Sequence, residues 1–389
     1  MAKVKIQGHA SGTGVLTVTA PNTSSDRTIT LPDSTGTLLN SDGDGSSLTG
    51  VGVGKNILIN GAMQVAQRGT SFAGITGAHS LDRWRIDSNI GVVTITQDSN
   101  GPAGFAKSLK FDYTTADASP ASSGYSGLFG YIEGQDLQHL KKGTASAESV
   151  TVSFWVKCNK TGDCQVNLLD YDNDRLIGNA VTINSADTWE QKSLTFVGDT
   201  TGSLDNDNTI GLILEMWFDT GTNYSSGTIP TSWTTKDHTD RAAGVTLALG
   251  DSTSNYINIT GVKMELGSVA TDYEHRSYGT ELALCRRYYL KWAEGATDQI
   301  GVGFYETASQ VTTIIHFPSQ MRVAPSLDYV TGTSYYQLGS DVFNVLQIYS
   351  ADQDQLQLYT NALVSGTQGD AGMLITGHAS AYVAFDAEL

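Results

Sequence analysis

Much of the chain alternates between apolar and polar positions. Val150, Val152, Phe154 and Val156 fall on one side of an extended segment, with Thr151, Ser153, Trp155 and Lys157 on the other. This is the period-two pattern of a strand buried on one face. A second segment repeats it, with Ile210, Leu212, Leu214, Met216 and Phe218 towards a core and Ile213, Glu215, Trp217 and Asp219 opposite. KNILINGAMQVAQRG, HSLDRWRID, VNLLDY, WEQKSLTFVG, VTLAL and YINITGVKMEL add further strand-like runs, separated by clusters of turn-forming residues. With no helical pattern between them, these runs predict an antiparallel jelly-roll β-sandwich over residues 54–275.

The flanking regions are also β in pattern. Residues 1–53 contain the short alternating runs VLTVTA and TITLPD, then a Gly/Ser-rich linker, NSDGDGSSLTGVGVGK. So short a unit cannot enclose a core of its own, so it reads as a β stem or anchor completed by other chains. Residues 293–389 carry IGVGFYE, VTTIIHFP, VFNVLQIYS, QLQLYTN and SAYVAFDAEL, the pattern of a small C-terminal β-sandwich. The predicted class is therefore all-β, with a single exception at the junction. There Leu282, Cys285, Tyr289 and Trp292 recur at helical spacing and predict one junction helix over residues 276–292. Ser277 and Thr280 are positioned to cap its start, Glu281 lies in its first turn, and Arg286, Arg287 and Lys291 lie towards its end. Its apolar stripe needs a surface to cover it, either at an axis between copies of the chain or on the domain after it.

Composition narrows the function. The net charge of −17, from 40 acidic and 23 basic residues, argues against a nucleic-acid partner. No apolar run reaches membrane-spanning length, and the first residues lack the apolar stretch of a secretory signal, so the expectation is a protein made in a reducing cytoplasm without membrane insertion. Cys158 and Cys164 bracket a turn and are placed either to bridge it or to remain free thiols; Cys285 stands apart.

Catalytic motifs are lacking. The seven histidines stand singly, without the close spacing of a zinc site, and no nucleophile elbow or Cys/His constellation occurs. GVGVGKN has a misplaced first glycine and Asn56 where a phosphate loop needs Ser or Thr. Asp170, Asp172 and Asp174 alternate as calcium ligands do but lack the rest of such a loop, so a polar turn is the simpler reading; the same holds for Asp42 and Asp44. No catalytic residue, metal site or cofactor is expected. The outward Trp155 and Trp217 have hydroxyl and carboxylate neighbours, a combination suited to stacking a pyranose ring and binding its hydroxyls. Glu215, Asp219, Tyr224 and Trp233 are the candidate polar and loop-borne contacts. The alternative is that a loop, the helix or another chain covers these tryptophans.

Three stretches carry a family resemblance. NILINGAMQVAQRG with LDRWRI resembles the start of the body domain of tailed-bacteriophage fibre and receptor-binding proteins. VKMELGSVATDYEHRSYGTELALCRRYYLKW resembles its end, and TVTAPNTSSDRTITLPDSTGTLL resembles a stem repeat of marine phage fibres. The resemblance implies a homotrimer, a jelly roll related to carbohydrate-binding modules, and a virion protein that attaches to host-surface glycans, with residues 1–53 meeting other virion proteins. Leu282, Cys285, Tyr289 and Trp292 are then the candidate oligomer interface. The rival expectations are a purely structural virion component and a polysaccharide depolymerase.

Overall fold

The computed structural model describes residues 55–389. The N-terminal β unit, its linker, and Asp42 and Asp44 lie outside the described residues. The strands pair antiparallel, and the fold is all-β. The jelly roll consists of two sheets. The first sheet runs, in spatial order, Ser71–Ala73, Val92–Asp98, Ser108–Thr115, Tyr256–Leu266, Val150–Cys158 and Glu190–Phe196. The second runs Thr234–Thr235, Arg175–Ile183, Gly162–Asp170, Ile210–Thr220, Tyr125–Glu133, Trp84–Ser88 and Ala78–His79.

Alternation dictates what lies between them. Val150, Val152, Phe154 and Val156 from the first sheet meet Leu212, Leu214, Met216 and Phe218 from the second in one core. The strand Tyr256–Leu266 changes phase within its length: Ile257 and Ile259 are in the core, then Val262 and Met264. Gly261 absorbs the extra residue, at φ +62°, where the register to Val150–Cys158 shifts between Thr260 and Lys263. Asn258 and Thr260 before this bulge, and Lys263 and Glu265 after it, lie on the side of the sheet away from the core, where all four are nonetheless buried.

Two segments from opposite ends of its sequence close the jelly roll together. Ile57 N donates to Met264 O at 2.8 Å, Val262 N to Gly61 O at 2.9 Å, and Asn56 Nδ2 to Val262 O at 2.9 Å. These are the two stretches that frame the body domain in the family resemblance.

The junction helix is shorter than its spacing predicts. It spans Tyr278–Arg286, and Ser277 Oγ accepts from Thr280 N at its start. After Arg287 the chain extends, and Tyr289–Glu294 is a strand paired with Tyr382–Asp386. Tyr289 and Trp292 therefore lie on a strand, and the apparent stripe of four was a coincidence of spacing over RYYLKW, a run whose aromatic residues suit a sheet equally well. Pairing with the last strand decided the conformation.

The strand Tyr289–Glu294 opens the C-terminal sandwich, whose smaller, third sheet is completed by Tyr382–Asp386 and Ser326–Tyr329. Facing it, the fourth sheet runs Asp341–Phe343, Tyr336–Leu338, Ala371–Thr376, Gln299–Thr307, Gln310–His316, Gln355–Thr360 and Gln347–Ala351. A second core, from Leu290 to Ala387, fills the space between.

A buried ionic network binds the two sandwiches. Arg68 and Arg83 both reach Glu388, with Arg68 Nη1 at 3.3 Å, and His79 Nε2 lies 3.6 Å from the same carboxylate. Arg287 grips Glu133 with two bonds of 2.8 Å. Arg322 donates to Ala387 O at 2.6 Å and to Asn208 O at 2.9 Å. Among the described residues, no helix is long and apolar enough to cross a membrane.

Candidate functional site

The two outward tryptophans belong to different sheets, so they face away from each other on opposite sides of the sandwich. They cannot form one site.

Trp217 is covered. It is 2 % exposed and lies in a small outer cluster with Phe129, Leu169, Leu176, Ile213 and Ala242. The segment after its own strand folds back over it: the Tyr224 ring stands 5.3 Å from the indole and the Arg241 guanidinium 4.9 Å above it. Glu215 fastens this cover. Its carboxylate accepts from Trp217 Nε1 at 2.9 Å and Asn167 Nδ2 at 3.0 Å, and is ion-paired with Arg241. Asn167 also donates to Arg241 O at 2.7 Å, and Gln165 to Asp240 O at 2.8 Å.

The remaining candidates on this side are also engaged. Asp219 accepts from Gly250 N and Thr220 N, each at 2.7 Å, and burial raises its carboxyl above the ordinary range. Trp233 packs on the main core and donates to Val197 O at 2.7 Å. Glu215, Asp219, Tyr224 and Trp233 thus surround or support a closed face. The Asp170–Arg175 segment is a polar turn: Asp170 accepts from Asn173 N at 3.1 Å and is ion-paired with Lys142. Among the described residues no cluster of metal-ligating side chains occurs.

Trp155 is different. It is half-buried on the outer face of the first sheet, flanked across the strands by Gln191 and Thr260. The next outward row runs Lys157, Asn258, Lys110 and Thr96. Asn258 is buried, and its Nδ2 donates to Asp98 Oδ2 at 3.1 Å and Ser108 Oγ at 3.0 Å. Thr260 Oγ1 is buried and has no hydrogen-bond partner among the described residues.

The bulge also shapes this face. A Cβ at Gly261 would come within 2.7 Å of the Phe105 ring and 3.1 Å of Trp155 Cδ1, so the bare glycine lets both rings close over the backbone. Phe105 in turn meets Tyr273 at 5.1 Å and His275 at 4.9 Å. At the other edge Trp189 Nε1 donates to Asn100 Oδ1 at 3.3 Å. The result is a polar sheet face bounded by aromatic rings.

Sequence reasoning singled out Trp155 on this face and did not place Phe105, Trp189, Asn258 or Thr260 beside it. Separating the faces of YINITGVKMEL, with a phase change at its glycine, would have found Asn258 and Thr260. Phe105 sits in the loop between two strands and had no periodicity to mark it.

The stripe predicted as an oligomer interface is largely used within the chain. Cys285 is buried and Leu282 half-buried at the helix. Tyr289 is buried beneath Arg68, at 3.7 Å, and donates to Asp328 Oδ2 at 2.8 Å. Trp292 packs on the C-terminal core and donates to Ile300 O at 2.8 Å. Cys158 and Cys164 are free and buried, not bridged, and burial pushes their thiols up to about 11 and about 12.

No protein-family model matches the chain, and no curated protein sequence matches it. Among solved structures, the enzymatically active domain of tailspike protein 4 of bacteriophage CBA120 aligns at 13 % identity and TM-score 0.28, over 54 % of this chain and 21 % of that one. This chain thus spans about a fifth of the tailspike domain's length. A sugar-binding protein of Bacteroides thetaiotaomicron, so described as putative, aligns at 13 % identity and TM-score 0.33, over 55 % of this chain and all of that one. A xylan-binding module (CBM22-2) of Paenibacillus barcinonensis aligns at 17 % identity and TM-score 0.27, over 50 % and 98 % respectively. Scores this low describe a loose likeness, and the sandwich architecture here rests on its own strand pairing.

Proposed function

We propose that this chain is a noncatalytic glycan-binding protein of a phage virion, a fibre or spike that attaches to the host surface as a homotrimer. The observation that carries the glycan half is the outer face of the first sheet. There the half-buried Trp155 and Phe105 rings stand beside the exposed Gln191 and the partly exposed Lys157, Lys110 and Thr96, while Asn258 and the unpartnered Thr260 hydroxyl are buried on the same face. The apolar face of a sugar ring stacks on an aromatic side chain, and the polar neighbours take its hydroxyls. Weak individual contacts suffice if several copies bind together, because avidity multiplies them.

The phage half rests on the sequence resemblance. It is supported by the hydrogen bonding between the two framing stretches, which makes them parts of one structural unit. On this reading the protein is made in the host cytoplasm and functions in the virion, with residues 1–53 docking to other virion proteins.

The deciding experiment is a glycan array, followed by host-cell binding, with wild type and Trp155→Ala. Loss of binding by 10-fold or more, with folding intact, is expected. Unchanged adhesion would remove Trp155 from the site. Appearance of new reducing ends when the protein is incubated with host polysaccharide would replace the noncatalytic reading with a depolymerase.

A further inference from the structure

Unpaired lysines gather at the outer face of the first sheet. Among the described residues, the lysines that have no ion-paired carboxylate are Lys55, Lys107 and Lys157. Two of these three belong to this face. Lys157 is the next outward residue after Trp155 on the strand Val150–Cys158, and Lys107 follows Phe105 by two residues, just before Ser108–Thr115. The carboxylates of the face are already engaged. Asp112 Oδ2 lies 3.2 Å from Lys110 Nζ, Asp98 accepts from Asn258 Nδ2 and from Asn100 N, each at 3.1 Å, and Asp187 accepts from the Tyr256 hydroxyl. Lys107, Lys110 and Lys157 balance Asp98, Asp112 and Asp187, so these groups sum to zero in a chain that carries −17. Asp272 and Glu274 belong to the segment that returns at the opposite end of the face, where Asp272 O accepts from Lys263 Nζ at 2.8 Å.

We infer that the glycan bound at this face carries an anionic group, a carboxylate or a phosphate, which pairs with Lys157 while a sugar ring stacks on Trp155. The inference rests on the proposed glycan-binding role and names the class of glycan. Outward neighbours on one strand stand roughly 6.8 Å apart, a distance that the flexible four-carbon stem of a lysine covers. A saccharide on the indole therefore brings its substituents within reach of the ammonium.

The partners of the other cations single out Lys157. Lys110 is held by Asp112 and lies 5.0 Å above the Tyr256 ring, so a second anion adds little to it. Lys157 has no such partner and gains a full charge-assisted contact. The wider field acts in the same direction. An acidic polymer is repelled by the surface of a strongly acidic chain, and a face whose own charges cancel is where it can approach. Its row also continues through the buried Asn258 to Lys110, two strand spacings or roughly 10 Å away, which is where a further anionic residue of an extended chain would pass.

A glycan array that holds uronate-, sialate- and phosphate-bearing saccharides beside neutral ones tests this on the full chain. Wild type should bind the anionic members about 10-fold or more better than the neutral ones. Lys157→Gln should lose that preference and Lys157→Arg should keep it, both with the circular dichroism of wild type. The identity of the retained members separates carboxylate from phosphate. Added salt should weaken wild type on these members more than Lys157→Gln. Wild type that binds neutral glycans equally well, with Lys157→Gln unchanged, overturns the anionic assignment and leaves the glycan-binding role standing. Absence of binding to every glycan overturns both. An anionic preference that survives Lys157→Gln overturns the assignment, since another cation then carries it. Equally tight binding of poly-glutamate, which has no sugar ring, overturns it too, because charge alone is then recognised.

Discussion

Trp155 and Trp217 each occupy an outward position on a strand whose inward residues fill the same core, yet one borders an open face and the other is sealed. The difference lies in where the chain goes as it leaves each strand. After Val150–Cys158 a tight turn leads directly into the next strand; the Phe105 ring stands beside the half-buried Trp155, and the segment after Tyr256–Leu266 returns over the end of this face where Thr271 N donates to Glu265 Oε1 at 2.8 Å. After Ile210–Thr220 a long segment with short helical turns folds back, and Glu215, Asn167 and Gln165 hold it down. A carboxylate next to an outward tryptophan resembles a sugar-binding pair in the sequence. In the folded chain it is the clamp of a lid, because its partners are an arginine and two side-chain N–H donors of the same molecule.

The sealed side should therefore show itself through stability, and the largest effect is expected there. Glu215→Ala leaves the Arg241 guanidinium and Trp217 Nε1 without their carboxylate acceptor, takes away one of the two acceptors of Asn167 Nδ2, and should cost about 3–5 kcal/mol in urea unfolding. Trp217→Ala should cost a similar amount by opening a cavity. Trp155→Ala, on the half-exposed face, should cost roughly 1 kcal/mol while reducing glycan binding. If Trp217→Ala were to abolish binding at unchanged stability, the two faces would have been assigned in reverse.

A smaller effect, about 3 kcal/mol at most, separates sealed from open through pH. Burial is the main cause that lowers the His79 imidazole from 6.5 to about 4; Glu388 opposes this and Arg68 and Arg83 reinforce it. Because the folded protein binds this proton less readily than the unfolded chain, the stability associated with His79 is complete above pH 6.5. It is lost as pH falls towards 4. Burial alone would raise the Glu388 carboxyl, but the positive charges of His79, Arg83 and Arg68 hold it at about 2, which extends the acid loss from about pH 4.5 downward. Unfolding free energies at pH 7 and pH 4.5 should differ for wild type and differ less for His79→Gln. Equal pH slopes in the two proteins would mean that His79 is not buried against this network.

How much of this was legible in the sequence varies with the physical cause. Strand faces were readable wherever one side is apolar and the other polar, as in Val150–Cys158 and Ile210–Thr220. The helix start was readable because Ser277 caps it through a local bond. Its end was not, because the strand Tyr289–Glu294 is fixed by a partner almost a hundred residues later. The lid over Trp217 was equally invisible, since Arg241 reaches Glu215 across 26 residues of irregular chain. Periodicity reports the side of a strand that faces its core; it carries no information about what lies over the other side.

A modest effect at Gly261 probes the open face most selectively. Gly261 holds φ +62°, a left-handed conformation that costs a residue with a side chain about 1 kcal/mol. In Gly261→Ala the new methyl would also meet the Phe105 ring at 2.7 Å and must push it aside, while Trp155 Cδ1, at 3.1 Å, needs to yield by only a few tenths of an ångström. The expected result is a modest stability loss of about 1–2 kcal/mol together with weaker glycan binding, although neither ring has been removed. Phe105→Ala in the same background should then add little further loss of binding, because the ring is already displaced. If Gly261→Ala instead binds as wild type does, Phe105 serves only to pack against Tyr273 and His275, and the recognition surface contracts to Trp155 and the polar rows beside it.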